Sequence, residues 1–126
     1  MSKTAEDQIR KLDFWRGDIT LEPISGGITN QNFVVTDQGQ KFFVRLGDDI
    51  PLHGVMRFNE LGASIAAAKV GLSPNVAHHA PGMLILNFIE GKTLSEADIR
   101  RDAYLEQILP MLHRCHRDLA QQIRGP

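Results

Sequence analysis

Cysteine is nearly missing from this sequence, and so are the features that mark secreted, membrane-spanning or nucleic-acid-binding chains. Cys115 is the one cysteine, so no disulfide can form within the chain, and a reducing cytoplasm is the expected compartment. No apolar run approaches the ~20 residues that span a bilayer, and the first residues lack the apolar stretch of a signal peptide. Fifteen acidic and 14 basic side chains leave a net charge of −1, which argues against nucleic acid or an anionic membrane as a partner.

Apolar residues recur at helical spacing near the start of the chain and at extended spacing after it. Residues 1–18 are predicted to form a short polar helix, because Ile9, Leu12 and Trp15 fall at helical spacing. Three predicted strands follow, and the last two are joined by a tight turn in which Gly39 can take a positive φ. These strands are residues 21–25, 32–36 and 41–46.

A second helix is predicted over residues 55–70, where apolar side chains form a stripe. Gly71 suits a left-handed cap just past its end. Two more strands are predicted after it, over residues 75–80 and 83–89, and a Pro-Gly turn joins them.

Helical spacing returns at Ser95 and continues to residue 119. Ser95 is a predicted N-cap with Asp98 three residues on, which is an aspartate version of the capping box. Pro110 lies inside this stretch and is expected to kink the helix or divide it.

This order of elements indicates an α+β fold. Strands joined in hairpins around one inserted helix predict a five-stranded antiparallel sheet with that helix packed on one face. Because the helix covers only one face, the other face is expected to cover a ligand or a second lobe.

A glycine-rich link, Gly-Gly-Ile-Thr-Asn-Gln, joins the first two predicted strands. Gly26 and Gly27 allow backbone N–H groups to approach an anion closely, as a triphosphate requires. Thr29 and Asn30 add side-chain donors. The alternative is an ordinary hairpin loop, because glycine pairs are common in turns.

Arg45 stands in the third predicted strand, Lys-Phe-Phe-Val-Arg-Leu. Alternation places Phe43 and Arg45 on one face, and Phe42, Val44 and Leu46 on the other. An arginine within an apolar strand is unfavourable unless its charge is met, and its planar fork suits two phosphate oxygens or a carboxylate. The alternative is an arginine at the sheet edge that reaches water.

Glu60 is the candidate partner of Arg45. It lies beside Leu61 at the margin of the predicted helical stripe, from which it can reach the sheet. Such a pair would orient the guanidinium toward phosphate, as the strand lysine and helix glutamate do in protein kinases. The alternatives are a solvated helix glutamate and a local pair with Arg57, three residues earlier.

Several short segments stand in a characteristic order. Gly-Gly-Ile-Thr-Asn-Gln-Asn-Phe, followed by Phe-Val-Arg-Leu-Gly, resembles the opening of choline and ethanolamine kinases. Arg-Phe-Asn-Glu at 57–60 resembles the arginine-to-glutamate segment on their inserted helix, and Val-Gly-Leu-Ser-Pro at 70–74 resembles the exit from it. Leu-Asn-Phe-Ile-Glu-Gly at 86–91 resembles the segment that joins their two lobes. Over residues 20–94 the chain thus resembles this family of the aminoglycoside phosphotransferase group, whose fold is protein-kinase-like.

The resemblance implies an ATP-binding N-terminal lobe and hinge at residues 1–91 and the first helices of a truncated C-terminal lobe at 92–126. It implies that Arg45 contacts the α- and β-phosphates in place of the usual lysine, that Glu60 holds Arg45, and that Phe43 lies against the base. An arginine there favours the choline-kinase side of the group over aminoglycoside kinases. The remaining implied ATP contacts are Gly26, Gly27, Ile28, Thr29 and Asn30 over the phosphates, and the backbone of Asn87 and Ile89 at the adenine.

The family's catalytic loop, His-x-Asp-x-x-x-x-Asn, and its later Mg²⁺-binding aspartate are not expected within this chain. His116-Arg117-Asp118 resembles the loop, but Ile123 stands where the asparagine is needed. The surrounding leucines have helical spacing, whereas the catalytic loop is an extended turn. We therefore expect a solvated helix end there and no turnover by this chain alone.

The histidines are weak candidates for a metal site. His113 and His116 can share a helix face, with Cys115 between them, but two imidazoles and a thiol lack a clear fourth ligand. His78 and His79 should alternate across a strand and cannot easily share one ion. No metal site is expected, and the thiol is expected to be a small apolar filler.

Two functions remain open from the sequence. The first is part of a kinase that transfers the γ-phosphoryl group of Mg²⁺-bound ATP to an alcohol on a small cationic molecule, such as choline or ethanolamine. The second is a non-catalytic module that binds a nucleotide, or that pairs with a partner through the uncovered face of its sheet.

Overall fold

The computed structural model describes residues 2–24, 31–47 and 57–122. The helices surround one sheet, which is built from three strands before the inserted helix and two strands after it. In chain order the elements are α1 (Ser2–Arg10), β1 (Ile19–Ile24), β2 (Gln31–Asp37), β3 (Gln40–Leu46), α2 (Arg57–Lys69), β4 (Val76–Ala80), β5 (Met83–Asn87), α3 (Glu96–Ile99) and α4 (Asp102–Arg114). A π-helical turn, Cys115–Leu119, continues α4.

The strands form one sheet in the order β1-β2-β3-β5-β4, and every neighbouring pair is antiparallel. The α+β fold and the five-stranded antiparallel sheet predicted from the sequence are therefore confirmed. The strands begin and end within two residues of their predicted limits. Among the described residues between β1 and β5, α2 is the helix that interrupts the succession of strands, so the inserted helix is confirmed as well.

The β2–β3 turn has the geometry that its sequence predicts. Asp37 pairs with Gln40, so two residues form the loop. Gln38 has φ of 50° and Gly39 has φ of 81°. Positive φ at both loop positions is the type I′ turn, whose twist matches that of the flanking strands. The turn therefore fixes the β2–β3 register, which in turn fixes the residues that face Arg45.

The hydrophobic core lies between one face of the sheet and α1. Phe33, Val44 and Ile85 point from three strands into this layer, and each is at most 2% exposed. Ala5 and Ile9 of α1 meet them and are also buried. Because α1 places few apolar side chains on the sheet, the aromatic residues Phe14 and Trp15, which follow the helix, cover the rest of this face.

The first helix is shorter than predicted. It ends at Arg10, and Leu12 and Trp15 lie in the loop after it while still packing on the core. The Trp15 Nε1–H donates to the Ile9 carbonyl at 2.7 Å. This bond satisfies a backbone carbonyl at the end of the helix. The loop folds back on the helix and buries its apolar side chains, and their spacing therefore resembled that of a longer helix.

Asp37 is a buried carboxylate that the sequence analysis did not single out. It is 5% exposed. Its Oδ2 accepts from the Arg16 N–H at 2.8 Å, and its Oδ1 accepts from the Gly17 N–H at 3.1 Å. The loop after α1 is thereby fastened to the end of β2, as expected for a buried charge whose hydrogen bonds are provided by backbone donors.

The two faces of the sheet are occupied differently from the prediction. The face opposite α2 was expected to cover a ligand, but α1 and its loop fill it. Arg45 lies on the other face and contacts Glu60 of α2, so helix and candidate ligand surface share one face. The expectation was wrong because the sequence pattern does not reveal how the first eighteen residues pack on the sheet.

We call the part of the α2 face formed by Val34, Phe43, Arg45 and Leu86 the open face.

The end of α2 is capped as predicted. Gly71 has φ of 81°. Its N–H donates to the Ala68 carbonyl at 3.1 Å, and the Leu72 N–H donates to the Ala67 carbonyl at 2.8 Å. This pair of bonds is the Schellman motif, and a side chain at Gly71 would be strained at that φ.

The helices after the sheet divide at a different place from the one predicted. The capping box at Ser95 is present: Ser95 Oγ accepts from the Asp98 N–H at 3.1 Å, and Asp98 Oδ2 accepts from the Ser95 N–H at 3.0 Å. The helix that it starts, α3, ends at Ile99. Pro110 lies inside α4, which continues through it, so the proline does not divide the helix. Among the described residues, no helix combines the length and apolarity needed to cross a bilayer.

Candidate functional site

Arg45 and Glu60 form an ion pair between β3 and α2. The Arg45 Nη1 lies 3.2 Å from Glu60 Oε1, and their side chains are 34% and 21% exposed. The Arg45 guanidinium also lies over the Phe43 ring, 5.5 Å from its centroid. The contact predicted from strand alternation and helix position is therefore present. The Arg57 side chain, the alternative partner considered for Glu60, lies outside the described side chains.

The glycine-rich link joins two strands whose ends lie beside Arg45. β1 ends at Ile24 and β2 begins at Gln31. Asn32, the second residue of β2, is the direct cross-strand partner of Arg45. The link therefore connects strands at the Arg45 end of the sheet. The five residues predicted to lie over the phosphates fall outside the described residues, and their role stays a prediction: Gly26, Gly27, Ile28, Thr29 and Asn30.

The middle of the open face is apolar and only partly covered. Phe43 is the cross-strand partner of both Val34 and Leu86, so the three side chains lie side by side. All three are half-buried. A partly covered apolar surface next to a cation suits a ligand with a flat apolar ring and an anionic tail. Val34 and Leu86 were not singled out from the sequence, and the strand register was the information needed to find them.

The end of β5 and the residues after it limit which backbone groups can hydrogen-bond to an adenine base. The Asn87 N–H donates to the Asn75 carbonyl at 3.0 Å, and the Phe88 N–H donates to the Lys41 carbonyl at 3.4 Å. Any adenine contact by the Asn87 backbone must therefore use its carbonyl. Ile89 is 63% exposed and can be reached by a ligand. The adenine contacts of Asn87 and Ile89 stay predictions.

The guanidinium of Arg45 provides a test of whether the site fits a phosphate. Its Nε is buried and has no acceptor among the described residues. One Nη1 contact to Glu60 uses a small part of the five N–H donors of an arginine. A charged group with donors to spare, next to an apolar surface, fits an anionic ligand such as the phosphates of ATP.

The His-Arg-Asp segment has the helical geometry that argued against a catalytic loop. Arg117 and Asp118 lie in the π-helical turn Cys115–Leu119, and Arg117 Nε is 2.9 Å from Asp118 Oδ1. The hydrogen bond from Arg117 lowers the pKa of Asp118. Asp118 is thus a carboxylate held ionised beside its own neighbour, at a partly exposed helical position.

The neighbouring histidines of β4 lie closer together than strand alternation predicts. The His78 ring stacks on Phe14 of the α1 loop, with ring centroids 5.2 Å apart, and lies 6.5 Å from the ring of His79, which lines a cavity beside Arg45. The irregular pairing of β4 between Val76 and His78 accompanies this departure from alternation. Within residues 2–24, 31–47 and 57–122, no group of three or more His, Cys, Asp or Glu side chains is placed to share a metal ion.

The chain resembles known kinases over part of their length. No protein-family model matches the sequence. It is 29% identical over 94 residues to Protein LicA of Haemophilus influenzae, an alignment that covers 72% of this chain and 28% of LicA. Plasmodium vivax ethanolamine kinase superposes with a TM-score of 0.68 at 22% identity, over 90% of this chain and 30% of that kinase. Choline kinase from Cryptosporidium parvum superposes with a TM-score of 0.55 at 19% identity, over 79% of this chain and 30% of that kinase.

The extent of these matches agrees with the segments recognised in the sequence. The chain spans less than a third of the length of each of these relatives. The superposed part contains the sheet with its inserted helix, which is the lobe that the sequence motifs predicted. This chain therefore has the fold of the N-terminal lobe of the ethanolamine and choline kinases.

Proposed function

We propose that this chain is the ATP-binding part of a small-molecule kinase that transfers the γ-phosphoryl group to an alcohol such as choline or ethanolamine. The observation that carries the proposal is the Arg45–Glu60 ion pair on the open face, at the end of the sheet where the glycine-rich link joins its strands. The similarity to ethanolamine and choline kinases supports it.

The proposal assigns a role to each part of the site. Arg45, held by Glu60, donates to the α- and β-phosphates, and amides of the glycine-rich link donate to the phosphates as well. Phe43, between Val34 and Leu86, provides an apolar surface for the adenine. ATP supplies the phosphoryl group, and Mg²⁺ offsets the charge of its phosphates.

The proposal divides the work between two lobes. Residues 1–91 form the nucleotide lobe and hinge, and residues 92–126 begin the second lobe. The catalytic aspartate, the Mg²⁺ ligands and the contacts to the cationic alcohol belong to the remainder of that second lobe, so this chain alone is not expected to catalyse transfer.

Calorimetry with two ligands tests the nucleotide site. We expect the chain to bind Mg²⁺-ATP, and Arg45→Ala to weaken that binding about tenfold or more, because charge-assisted hydrogen bonds contribute roughly 1.5–3 kcal/mol. Adenosine, which has no phosphates, should bind both proteins equally. Arg45→Lys is the matched control, and its affinity should be intermediate because it keeps the charge and loses the fork. Equal affinity of the wild type and Arg45→Ala for ATP would contradict the proposal.

One observation favours the alternative of a non-catalytic module that pairs with a partner. Leu105, Leu109 and Leu112 of α4 are 38%, 60% and 49% exposed, and large exposed apolar surfaces mark interaction sites. The reading frame that encodes this chain separates the alternatives. A His-x-Asp-x-x-x-x-Asn segment within several dozen codons after Pro126 supports the kinase, and a stop codon immediately after Pro126 supports the module.

A further inference from the structure

A cavity of about 360 Å³ opens beside the Arg45–Glu60 pair. Its wall includes the side chains of both charged residues, Leu61 of α2, Ala80 of β4 and Leu84 of β5. The Pro81–Gly82 turn closes the end next to Ala80. The cavity therefore lies between the first turns of α2 and the β4–β5 hairpin.

The cavity and the proposed nucleotide site lie on opposite sides of Arg45. In the sheet, β3 has β2 on one side and β5 on the other. The proposed nucleotide site uses the β1–β2 link and the open face with Val34, Phe43 and Leu86, whereas the described wall of the cavity adds residues of α2 and the β4–β5 hairpin, and Arg45 borders both. A molecule in the cavity would thus reach the ion pair from the side of α2 and the β4–β5 hairpin, and Arg45 is the residue that it would share with the surface assigned to ATP.

The chemistry of the wall defines the class of molecule that fits. Leu61, Ala80 and Leu84 make the wall largely apolar, and Leu84 is only 6% exposed. Glu60 and Arg45 offset each other's charge across 3.2 Å, so the charged part of the wall carries no net charge. The volume is within the range of small-molecule sites, roughly 300–1,000 Å³. A small, neutral, apolar molecule matches this wall.

We propose that this cavity is an allosteric site for a small neutral apolar molecule, and that its occupation strengthens ATP binding. The inference rests on the proposed function, because it assigns a regulator to the same Arg45–Glu60 pair. Its class of ligand is an uncharged aromatic or alicyclic compound with at most one hydroxyl group, which can hydrogen-bond to the carboxylate of Glu60.

The coupling follows from the position of the wall residues. The cavity exists only while α2 stands close to the β4–β5 hairpin, because α2 supplies Glu60 and Leu61 while the hairpin supplies Ala80 and Leu84. A ligand that fills it binds this arrangement in preference to one with α2 displaced. The same arrangement holds Glu60 against Arg45. Ligand and ATP therefore favour the same state, and linkage requires each to increase the affinity for the other.

The first test uses 1-naphthol as the probe and NMR spectra of the methyl groups. We expect 1-naphthol to shift the methyl signals of Leu61 and Leu84, and to slow hydrogen exchange of the α2 amides. The anionic analogue 1-naphthoate should shift them far less. Ala80→Leu, which fills the cavity, should abolish the shifts. Leu109→Ala is the matched control for adsorption to exposed apolar surface, and it should leave them unchanged.

The second test measures the coupling itself. In saturating 1-naphthol, the affinity for Mg²⁺-ATP should rise about fivefold or more, and Ala80→Leu should not respond. Shifts confined to α4, or shifts that persist in Ala80→Leu, would overturn the site. Methyl shifts at the cavity with unchanged ATP affinity would overturn the coupling.

The two proposals can fail separately. If the chain binds no ATP even without the probe, the proposed function fails. The exchange rates of the α2 amides then still decide whether the cavity binds the probe and holds α2. Unchanged exchange in a protein whose spectrum shows that it is folded would overturn the inference.

Discussion

Arg45 and Glu60, which lie 15 residues apart in the sequence, meet at 3.2 Å between the central strand of the sheet and the first turn of α2. Both side chains remain partly exposed. The pair is therefore accessible to a ligand, and its geometry depends on how α2 sits on the sheet. The predictions below separate its role in ligand binding from the contacts that stabilise the fold.

Glu60→Gln should lower the free energy of unfolding by less than about 1 kcal/mol, because partly exposed ion pairs contribute little to stability. It should nevertheless weaken Mg²⁺-ATP binding, since the guanidinium loses the carboxylate that orients it. Urea denaturation and calorimetry measure the two effects. Glu106→Gln on exposed α4 is a matched control that should change neither. A loss of several kcal/mol would show that Glu60 has a structural role instead.

Asp37→Ala should destabilise the fold far more than Glu60→Gln does. The substitution removes the acceptors of the Arg16 and Gly17 N–H groups from a carboxylate that is 5% exposed. Hydrogen bonds to charged groups contribute roughly 1.5–3 kcal/mol each, so we expect the loss of two such bonds to cost about 3–6 kcal/mol in urea denaturation. Asp37→Asn keeps one acceptor oxygen and should lose less. Equal losses for the two variants would contradict this account.

Asp98 should make stability depend on pH in the acid range. The backbone N–H of Ser95, and then the Lys92 ammonium at 3.1 Å, lower the pKa of Asp98 in the folded protein. Its contribution is therefore complete above the unfolded-state pKa, about 3.9, and is lost as the pH falls through the lower folded-state pKa. Asp98→Asn should lose stability at pH 7 and differ less from the wild type at pH 2.

An NMR titration of the Asp98 carboxyl group checks the cause of this shift. Lys92→Met should move the titration midpoint upward, because the second contributor is removed. Ser95→Ala should move it upward as well, because the hydrogen bond of the Ser95 side chain also lowers the pKa of the Asp98 carboxyl group. A midpoint that stays the same in both variants would contradict the assignment.

Arg114→Ala should loosen the C-terminal end of α2. Arg114 Nη1 reaches the Val70 carbonyl at 3.5 Å, where a cation also complements the helix dipole. We expect faster amide hydrogen exchange in the last turn of α2 and a loss of stability under about 1 kcal/mol. Arg114→Lys keeps the charge and should behave nearly as the wild type does. Unchanged exchange in Arg114→Ala would show that the contact does not hold the helix.

Local chemistry made much of the fold predictable. Gly39 and Gly71 adopt the positive φ values that their turn and cap require, and Ser95 with Asp98 forms the predicted capping box. Each of these is decided by residues a few positions apart. The end of α1 was not predictable in this way, because Trp15 folds back on the Ile9 carbonyl and apolar spacing cannot distinguish this from a longer helix.

The contact between Arg45 and Glu60 was predictable from the sequence, but the face of the sheet on which it lies was not. Strand alternation and helix position were enough to bring Arg45 to Glu60. The face on which they meet was assigned wrongly in relation to α2, because the packing of α1 on the opposite face leaves no local signal. The cavity behind Arg45 depends on the β3–β5–β4 order, which a sequence pattern alone does not supply.

The most direct measurement of the central claim is an NMR titration with Mg²⁺-ATP that follows the amides of Gly26 and Gly27 together with the Nε–H of Arg45. If the glycine-rich link and the guanidinium hold the same phosphates, the three signals should shift along one binding curve, and adenosine should leave them in place. Shifts of the glycine amides without any response from Arg45, or the reverse, would contradict the account.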